Sequence, residues 1–204
     1  MRNKILASAI KIIANVVVVL FLGLMAYACY RKYHDSGSIN GLGLLIVNSI
    51  MVTMYVVKRD ASSISKSPFL WLLAFGGTCL PLVLQPTAPS MSSSIGNIIQ
   101  IIGIVAIAAS MLSLRRSFGI VPAHRGIRTG GLYSFVRHPL YASELLWMLG
   151  FVIANPSGWN IALWFCECLL QFARASAEER FLSLDPIYAQ YRARVKYRLL
   201  PLVI

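Results

Sequence analysis

Long apolar runs separated by short polar segments are the dominant pattern along the chain. Each of the first four runs is close to the ~20 residues that a helix needs to cross the hydrocarbon core of a bilayer. Backbone groups inside lipid must form their hydrogen bonds within the same segment, so these runs predict helices. The runs extend over residues 12–30, 39–57, 68–84 and 94–114, and a break is expected near Pro81.

The pattern changes after the fourth run. Residues 115–137 combine glycines and prolines with five arginines, which predicts a structured basic loop rather than a span. Two shorter apolar helices follow over 139–154 and 159–173, and the turn-forming sequence NPSG joins them. Because this turn is tight, the two helices are expected to form an antiparallel hairpin. Beyond them, aromatic and apolar residues at helical spacing alternate with arginines, which indicates an interfacial helix and tail.

The predicted fold class is therefore all-α, a polytopic transmembrane helical bundle of about five spans, the last of them a helical hairpin. Composition supports it, since 57% of the 204 residues are hydrophobic and only 13% are charged, which is about half the charged share of a soluble domain. So short a chain cannot bury that much apolar surface in a soluble core. The net charge of +12 suggests nucleic acid, but the apolar fraction argues against that partner, and basic residues flanking membrane spans explain the charge.

The positions of the basic residues predict the orientation of the spans. If the N-terminus, residues 58–66, the basic loop and the C-terminal tail share one side, that side holds all 19 Lys and Arg residues except Arg31 and Lys32. This bias places both termini in the cytoplasm. The sequence AYA at 26–28 resembles a signal-peptide cleavage site, but the apolar run before it is longer than the usual ~7–15 residues, so a retained first span is expected. The small size of the chain favours a bacterial plasma membrane.

The cysteines predict no metal site. Cys29, Cys79, Cys166 and Cys168 all lie in apolar runs or at their ends. The pair Cys166 and Cys168 has no matching His or Cys pair at ligand spacing elsewhere in the sequence. All four are interpreted as core or lipid-facing residues.

Two carboxylates, Glu144 and Glu167, lie inside the predicted hairpin helices. An intramembrane carboxylate costs roughly 2.5–3.5 kcal/mol on insertion scales, so each is a candidate functional residue. A hairpin that turns between Asn155 and Pro156 places these two residues at equal depth. The same counting pairs two further sets: Arg137 with Arg174, and Tyr133 with Glu178.

The spacing of the charged residues along the second hairpin helix predicts that they lie on one face of that helix. Glu167, Arg174 and Glu178 stand at i, i+7 and i+11, which is one helical face. Arg174 and Glu178 are also four residues apart and able to pair. The alternative is a structural network of charged side chains that extend toward the membrane surface.

His138 precedes Pro139, and proline is favoured at the first position of a helix. His138 is therefore expected at the N-cap of the first hairpin helix. The free N–H groups and the positive end of the helix dipole at such a position bind anions such as carboxylate or phosphate. With Arg137 and Tyr141 beside it, this end of the hairpin is interpreted as a site for a charged small molecule that arrives from water.

Three sequence elements together resemble the isoprenylcysteine carboxyl methyltransferase family, a broad group that includes the phospholipid N-methyltransferases. They are GGLYSFVRHPLY, then RASAEERFL, then YAQYRARVKYRLLP, and the resemblance covers about residues 112–201. It implies a methyltransferase that uses S-adenosyl-L-methionine, bound at the cytoplasmic end of the hairpin, with residues 1–114 as N-terminal transmembrane helices and 115–204 as the catalytic half. The loop sequence SFGIVPAHRGIRTGG is not that of the prenylcysteine enzymes, so the acceptor stays open.

The resemblance also implies roles for individual residues. Arg174 matches the arginine associated with the substrate carboxylate. Apart from the resemblance, the chemistry of Glu144 and Glu167 makes them candidate general bases for an amine or phenol acceptor. The positions that match cofactor-binding residues of the family are Arg125, Gly126, Ile127, Arg128, Tyr133, His138, Pro139, Leu140, Tyr141 and Glu178.

The expected partners are membrane lipids and a lipophilic small molecule or lipidated substrate, methylated either at a carboxylate oxygen or at a lipid nitrogen. Two alternatives remain. A membrane reductase of sterol-reductase-like architecture would bind NADPH, whose 2′-phosphate suits the arginines of the basic loop. A membrane scaffold without catalytic activity would use the buried charges only for structure.

Overall fold

The computed structural model of the protein describes residues 2–37, 39–65, 67–87 and 93–200. The chain is 76% helical, so the all-α prediction is confirmed. The helices within the described ranges are α1 Arg2–Ser36, α2 Ile39–Val57, α3 Pro68–Cys79, α4 Ser94–Leu114, α5 Pro139–Ala154, α6 Gly158–Leu182 and α7 Pro186–Arg194. Two-residue strands, β1 at Ser63–Ile64 and β2 at Ala123–His124, accompany them.

Three of the described helices contain segments long and apolar enough to cross a membrane, at Ile12–Asp35, Asn40–Val57 and Ser94–Ser117. Two further apolar helices, Pro68–Val83 and Pro139–Ala154, are shorter. The prediction of an all-α membrane bundle is therefore confirmed, and its count of about five spans includes these two shorter helices.

Several predicted helix limits need correction. α3 ends at Cys79 and a 3-10 turn, Leu80–Val83, follows it. The α-helix therefore breaks near Pro81, as predicted, but it is shorter than the predicted run. Proline lacks the N–H group that the α-helix needs at this point. α1 is longer than the predicted first run at both ends. α6 does not stop near residue 173 but continues to Leu182, so the apolar part of the hairpin and its polar extension are one helix.

The chain divides into two compact units, Met1–Val57 and Lys58–Ile204. In the first unit, α1 and α2 pack against each other as antiparallel helices. Tyr55 Oη donates a hydrogen bond to Asn15 Oδ1 at 3.3 Å, and Asn48 Nδ2 lies 3.5 Å from Cys29 Sγ. The larger residue number on α2 meets the smaller one on α1, as antiparallel packing requires.

In the second unit, α4 and α5 approach closely because glycines line their contact. A Cβ atom at Gly103 would lie 2.6 Å from Trp147 Cα, and one at Gly150 would lie 2.6 Å from the backbone nitrogen of Gln100. Small residues that let helix backbones approach are the usual means of packing helices in membranes. The glycines therefore fix the position of α5, the helix that carries the candidate site.

We expect Gly103→Ala to destabilise the second unit by about 1–3 kcal/mol, because the added methyl group must push α5 away from α4. Gly76→Ala in α3 is the matched control, since a Cβ there meets no atom within 4 Å. This control is expected to stabilise its helix by up to ~1 kcal/mol through helix propensity. Thermal unfolding of both variants in detergent measures the difference. Equal effects in the two variants would contradict the close packing.

The basic loop is structured, as predicted, and two contacts tie it down. β2 in this loop pairs antiparallel with β1, with Ser63 opposite His124. His124 Nε2 also contacts Asp185 Oδ2, and the other carboxylate oxygen of Asp185 accepts from the backbone N–H of Ile187 at 2.7 Å to cap α7. The hydrogen bond from His124 lowers the pKa of the Asp185 carboxyl. The loop is thereby held against the start of α7.

The predicted hairpin forms between α5 and α6. Ser157 caps α6 by accepting from the backbone N–H of Asn160, and the buried Asn160 side chain donates to the carbonyl groups of Asn155 and Gln85 at 2.8 Å each. Trp164 Nε1 reaches back to the carbonyl oxygen of Leu145 at 3.2 Å. The turn is thus fixed by side chains in the turn and in the first two turns of α6, and Asn160 also connects it to the segment after α3.

Candidate functional site

Five ionisable residues form a cluster at the end of the hairpin where α5 begins and α6 becomes polar, and we name it the mouth cluster. Its members are Arg137, His138, Glu178, Glu179 and Arg198. Glu179 is the central member, and its side chain is only 3% exposed. Arg137 Nε donates to Glu179 Oε1 at 2.7 Å, His138 Nε2 lies 3.2 Å from the same oxygen, and Arg198 Nη2 lies 3.1 Å from Oε2. Three basic side chains therefore converge on one buried carboxylate.

The mouth cluster also fixes the C-terminal segment after α7. The backbone N–H of Arg137 donates to the carbonyl of Tyr197, and that of His138 to the carbonyl of Arg198, both at 2.9 Å. The Arg137 guanidinium donates to the carbonyl of Val195 at 2.8 Å. The last described residues are thus paired with the segment that enters α5.

Sequence reasoning missed Glu179 and selected its neighbour Glu178. Adjacent residues on an α-helix point about 100° apart, so the two carboxylates meet different atoms at the start of α5. The signal that identifies Glu179 is its complementarity to Arg137 and His138, two basic residues at the start of the facing helix.

Glu178 lies at the more exposed side of the mouth cluster. Tyr141 Oη donates to Glu178 Oε2 at 2.8 Å, and His138 Nδ1 lies 3.8 Å from the same oxygen. The rings of His138 and Tyr141 stack with centroids 5.4 Å apart and planes within 2°. The side chain of Glu178 is 30% exposed, so it is accessible to a ligand. The structure therefore brings together three predicted cofactor residues.

Tyr133, another predicted cofactor residue, lies outside the group of His138, Tyr141 and Glu178. Tyr133 belongs to a buried aromatic cluster with Tyr188, Tyr191 and Val195, and Tyr191 Oη donates to the Tyr133 carbonyl at 2.7 Å. Burial raises the pKa of Tyr133, and the nearby charge of Glu178 raises it further. Its phenol is therefore a neutral group beside the mouth cluster.

The stretch Arg125–Arg128 is held mainly within the basic loop. Ser117 Oγ donates to the Arg125 carbonyl at 3.1 Å, and Arg128 Nε donates to Ser117 Oγ at 3.3 Å. Gly126 has a φ of +89°, a conformation that favours glycine. Ile127 packs against the aromatic cluster around Tyr133, which connects this stretch to the site.

Pro139 occupies the first turn of α5, and His138 is its N-cap residue, as predicted. The His138 side chain makes no capping hydrogen bond to the first turn. Its ring instead faces Glu179 and Tyr141, and the first-turn N–H groups at Leu140 and Tyr141 are left without a side-chain cap. An uncapped helix start of this kind suits an anionic group.

Deeper in the hairpin, Glu144, Glu167, Gln171 and Arg174 form a polar group that we name the hairpin network. Gln171 Nε2 donates to Glu144 Oε2 at 2.7 Å and to Glu167 Oε1 at 2.5 Å. Arg174 Nη1 donates to Gln171 Oε1 at 3.1 Å. The two predicted carboxylates do meet, but through Gln171, a residue that the sequence reasoning did not select.

Arg174 and Glu178 each contact Tyr141, and this contact, rather than the predicted pairing of the two, holds their side chains. The Arg174 guanidinium lies over the ring of Tyr141, 4.7 Å from the ring centroid. The hydroxyl of the same tyrosine donates to Glu178. Tyr141 therefore connects the hairpin network to the mouth cluster.

A narrow cleft lies beside Arg174, and it encloses no space large enough for a water molecule. α3 supplies an apolar wall, and the side chains of Tyr141 and Arg174 supply the polar part. A Cβ atom at Gly77 would lie 2.8 Å from Arg174 Nη1, so this glycine makes room for the guanidinium. The lining residues are Leu70, Leu73, Ala74, Pro122, Tyr141, Arg174 and Ala177.

The fold and the site define a class, namely polytopic membrane proteins with a charged site at the end of a helical hairpin and an apolar cleft beside it. Residues 91–190, which run from before α4 into α7, match the model of the phospholipid methyltransferase family. The match covers 100 of the 204 residues, just under half of the chain, and it confirms the resemblance to membrane methyltransferases found in the sequence. No curated protein sequence matches the chain. The family match supports a membrane methyltransferase with a lipid-like substrate.

Proposed function

We propose that the protein transfers a methyl group from S-adenosyl-L-methionine to a lipophilic acceptor that reaches the site from the bilayer. The observation that carries the proposal is the position of Tyr141. Its hydroxyl contacts Glu178 in the mouth cluster, and its ring contacts Arg174 in the cleft. One side chain thus separates a polar site for a charged cofactor from a partly apolar site for an acceptor.

The mouth cluster suits the amino-acid end of the cofactor. The uncapped start of α5, with His138 at its N-cap, suits the carboxylate. The exposed carboxylate of Glu178 suits the ammonium group or the ribose hydroxyls. Tyr133, Pro139, Leu140 and the stretch Arg125–Arg128 would line the remainder of the cofactor. When bound, the cofactor supplies an electrophilic methyl group on a sulfonium.

The cleft is the candidate site for the acceptor, and it would widen to admit the acceptor sideways between α3 and α6. Leu70, Leu73 and Ala74 would contact its apolar chain, and Arg174 would orient an anionic group by a bidentate hydrogen bond. A carboxylate acceptor needs no base. An amine or phenol loses a proton when it is methylated, and Glu144, whose side chain is 26% exposed beside Arg174, would receive that proton.

Methyl transfer requires few further groups from the protein. Displacement at a methyl carbon requires donor and acceptor in line and the exclusion of water. The stacked rings of His138 and Tyr141 and the buried Glu179 pairs provide a rigid support for such positioning. We place both termini and the mouth cluster in the cytoplasm, where the cofactor is available, because the basic residues concentrate on that side.

Binding of S-adenosyl-L-methionine, measured by calorimetry in detergent, tests the proposal. We expect micromolar binding to the wild type and a loss of about tenfold or more in His138→Ala and in Glu178→Ala, because each removes a charge-assisted contact. Arg180→Ala is the matched control, since Arg180 is exposed on the same turn of α6.

A well-folded wild type that binds no S-adenosyl-L-methionine would refute the proposal. A titration with NADPH on the same sample then tests the reductase alternative, because saturable NADPH binding would identify the basic loop as a nucleotide-phosphate site. Binding of neither cofactor would favour a scaffold.

A further inference from the structure

The hairpin network contains two carboxylates and one guanidinium that do not touch. Arg174 Nη1 lies 4.0 Å from Glu144 Oε2, whereas a direct charge-assisted hydrogen bond is about 2.7–2.9 Å long. Gln171 occupies the space between the charges and is completely buried. Opposite charges in an apolar interior attract strongly, so their separation requires a physical cause.

The hydrogen bonds of Gln171 provide that cause. Its amide nitrogen has two hydrogens, and both are used, one for Glu144 and one for Glu167. Its amide oxygen accepts from Arg174. The opposite orientation of the amide would place its oxygen against two carboxylates and its N–H groups against a guanidinium, so the charges around it fix the orientation.

One donor of the Arg174 guanidinium lacks a hydrogen-bond acceptor in the described part of the chain. Arg174 is 7% exposed, yet its Nε has no hydrogen-bond partner among the described residues. A buried donor without a partner costs free energy, and the same side chain lines the cleft. A ligand that enters the cleft and displaces part of its lining would satisfy this buried donor.

We propose that Gln171 is a positioning residue that keeps Arg174 apart from Glu144 and Glu167, so that the guanidinium stays available to an anionic group of an amphiphile in the cleft. The group is a phosphate or a carboxylate, which both match the planar guanidinium. The proposal rests on the proposed function only in assigning the acceptor to this cleft.

Removal of the Gln171 amide is expected to change the ion pairs that Arg174 forms. In Gln171→Leu, the carboxylates and the guanidinium lose their neutral partner, and the low dielectric of the hairpin drives Arg174 into direct ion pairs with Glu144 or Glu167. The closed pair would compete with the anionic ligand for Arg174. A triple variant that adds Glu144→Gln and Glu167→Gln to Gln171→Leu removes both competing carboxylates and should free the guanidinium again.

The test measures binding of dodecyl phosphate to protein in maltoside micelles by calorimetry, with protein-free maltoside micelles as the background for partition into the micelle. We expect Gln171→Leu to bind about tenfold or more weakly than the wild type, the worth of a charge-assisted hydrogen bond. The triple variant should bind at least as tightly as the wild type. Gln100→Leu is the matched control, since Gln100 is a buried glutamine of α4 in the same unit, and it should bind normally.

A merely structural role of Gln171 predicts a different result, in which the triple variant binds as weakly as Gln171→Leu or more weakly. That result would overturn the proposal, and so would wild-type affinity in Gln171→Leu. Affinity for S-adenosyl-L-methionine is measured on the same samples and should be equal in all of them. If the wild type binds dodecyl phosphate as described but no S-adenosyl-L-methionine, the proposed function fails while the role of Gln171 stands.

Discussion

Glu179→Ala is expected to lower the free energy of unfolding by about 3–5 kcal/mol and to abolish cofactor binding, because it leaves the buried guanidinium of Arg137 and the partly buried one of Arg198 without their carboxylate. The carboxylate is the shared acceptor for Arg137, His138 and Arg198. Without it, Arg137 also loses the contact that orients it toward the carbonyl groups of the C-terminal segment. The start of α5 and the end of the chain should therefore loosen together.

Glu178→Ala is the matched comparison, one residue away on the same helix. The side chain of Glu178 is 30% exposed and that of Glu179 is 3% exposed. We expect Glu178→Ala to bind the cofactor poorly while its thermal unfolding stays close to that of the wild type. Thermal unfolding and cofactor calorimetry on both variants separate the two roles. Equal stability of the two variants would show that the ion pairs around Glu179 do not hold the site together.

The helices themselves follow from the apolar runs, because lipid permits few other structures for an apolar chain. The hairpin was also predictable, since its turn chemistry is local and Ser157 and Asn160 act within a few residues of the turn. The continuation of α6 to Leu182 was not predicted, because hydrophobicity stops near residue 173 while the helix does not. Polar residues such as Glu178 and Glu179 are good helix formers, and contacts with α5 support them there.

The side chains that contact each other across the hairpin are not the pairs that counting residues from the turn predicts. Counting from the turn pairs Arg137 with Arg174, but Arg137 contacts Glu179, five residues further along α6. Side chains on an α-helix lean toward its N-terminus, so those of α5 lean toward the mouth cluster and those of α6 lean toward the turn. Both effects shift contacts toward higher residue numbers on α6. The sequence therefore predicts which face is polar but not which side chains touch.

Gln171 was missed for a related reason. Ionisable residues inside apolar runs mark a candidate site in the sequence, but an amide carries no charge. Gln171 stands four residues after Glu167 and three before Arg174, the spacings at which helical side chains meet. A buried polar residue between two buried charges on one face is the signal that identifies it.

The division at Leu114 into a membrane region and a catalytic half stays a prediction. Two helices before that point contribute to the candidate site: α4 packs against α5, and α3 forms the apolar wall of the cleft. Both belong to the compact unit Lys58–Ile204. Any functional boundary should therefore be tested with truncated variants that keep α3 and α4.

Arg174→Lys is expected to reduce methyl transfer by about 100-fold without changing the affinity for S-adenosyl-L-methionine, since a small misplacement of a reacting group costs about that much. Lysine keeps the positive charge that balances the hairpin network, so the fold should survive. It lacks the planar pair of donors that orients a carboxylate or phosphate. It also cannot lie flat over Tyr141 as the guanidinium does, 4.7 Å from the ring centroid.

The measurement is formation of S-adenosylhomocysteine from S-adenosyl-L-methionine in the presence of a total membrane lipid extract, with Arg180→Ala as the control for loss of one arginine. Arg174→Leu is less informative, because it leaves Glu144 and Glu167 buried beside no cation and is expected to unfold the hairpin. A loss of rate in Arg174→Lys with normal cofactor affinity assigns Arg174 to the acceptor. Normal turnover in Arg174→Lys would mean that the acceptor is oriented by its apolar contacts with α3 alone, and the cleft would then select for shape rather than for charge.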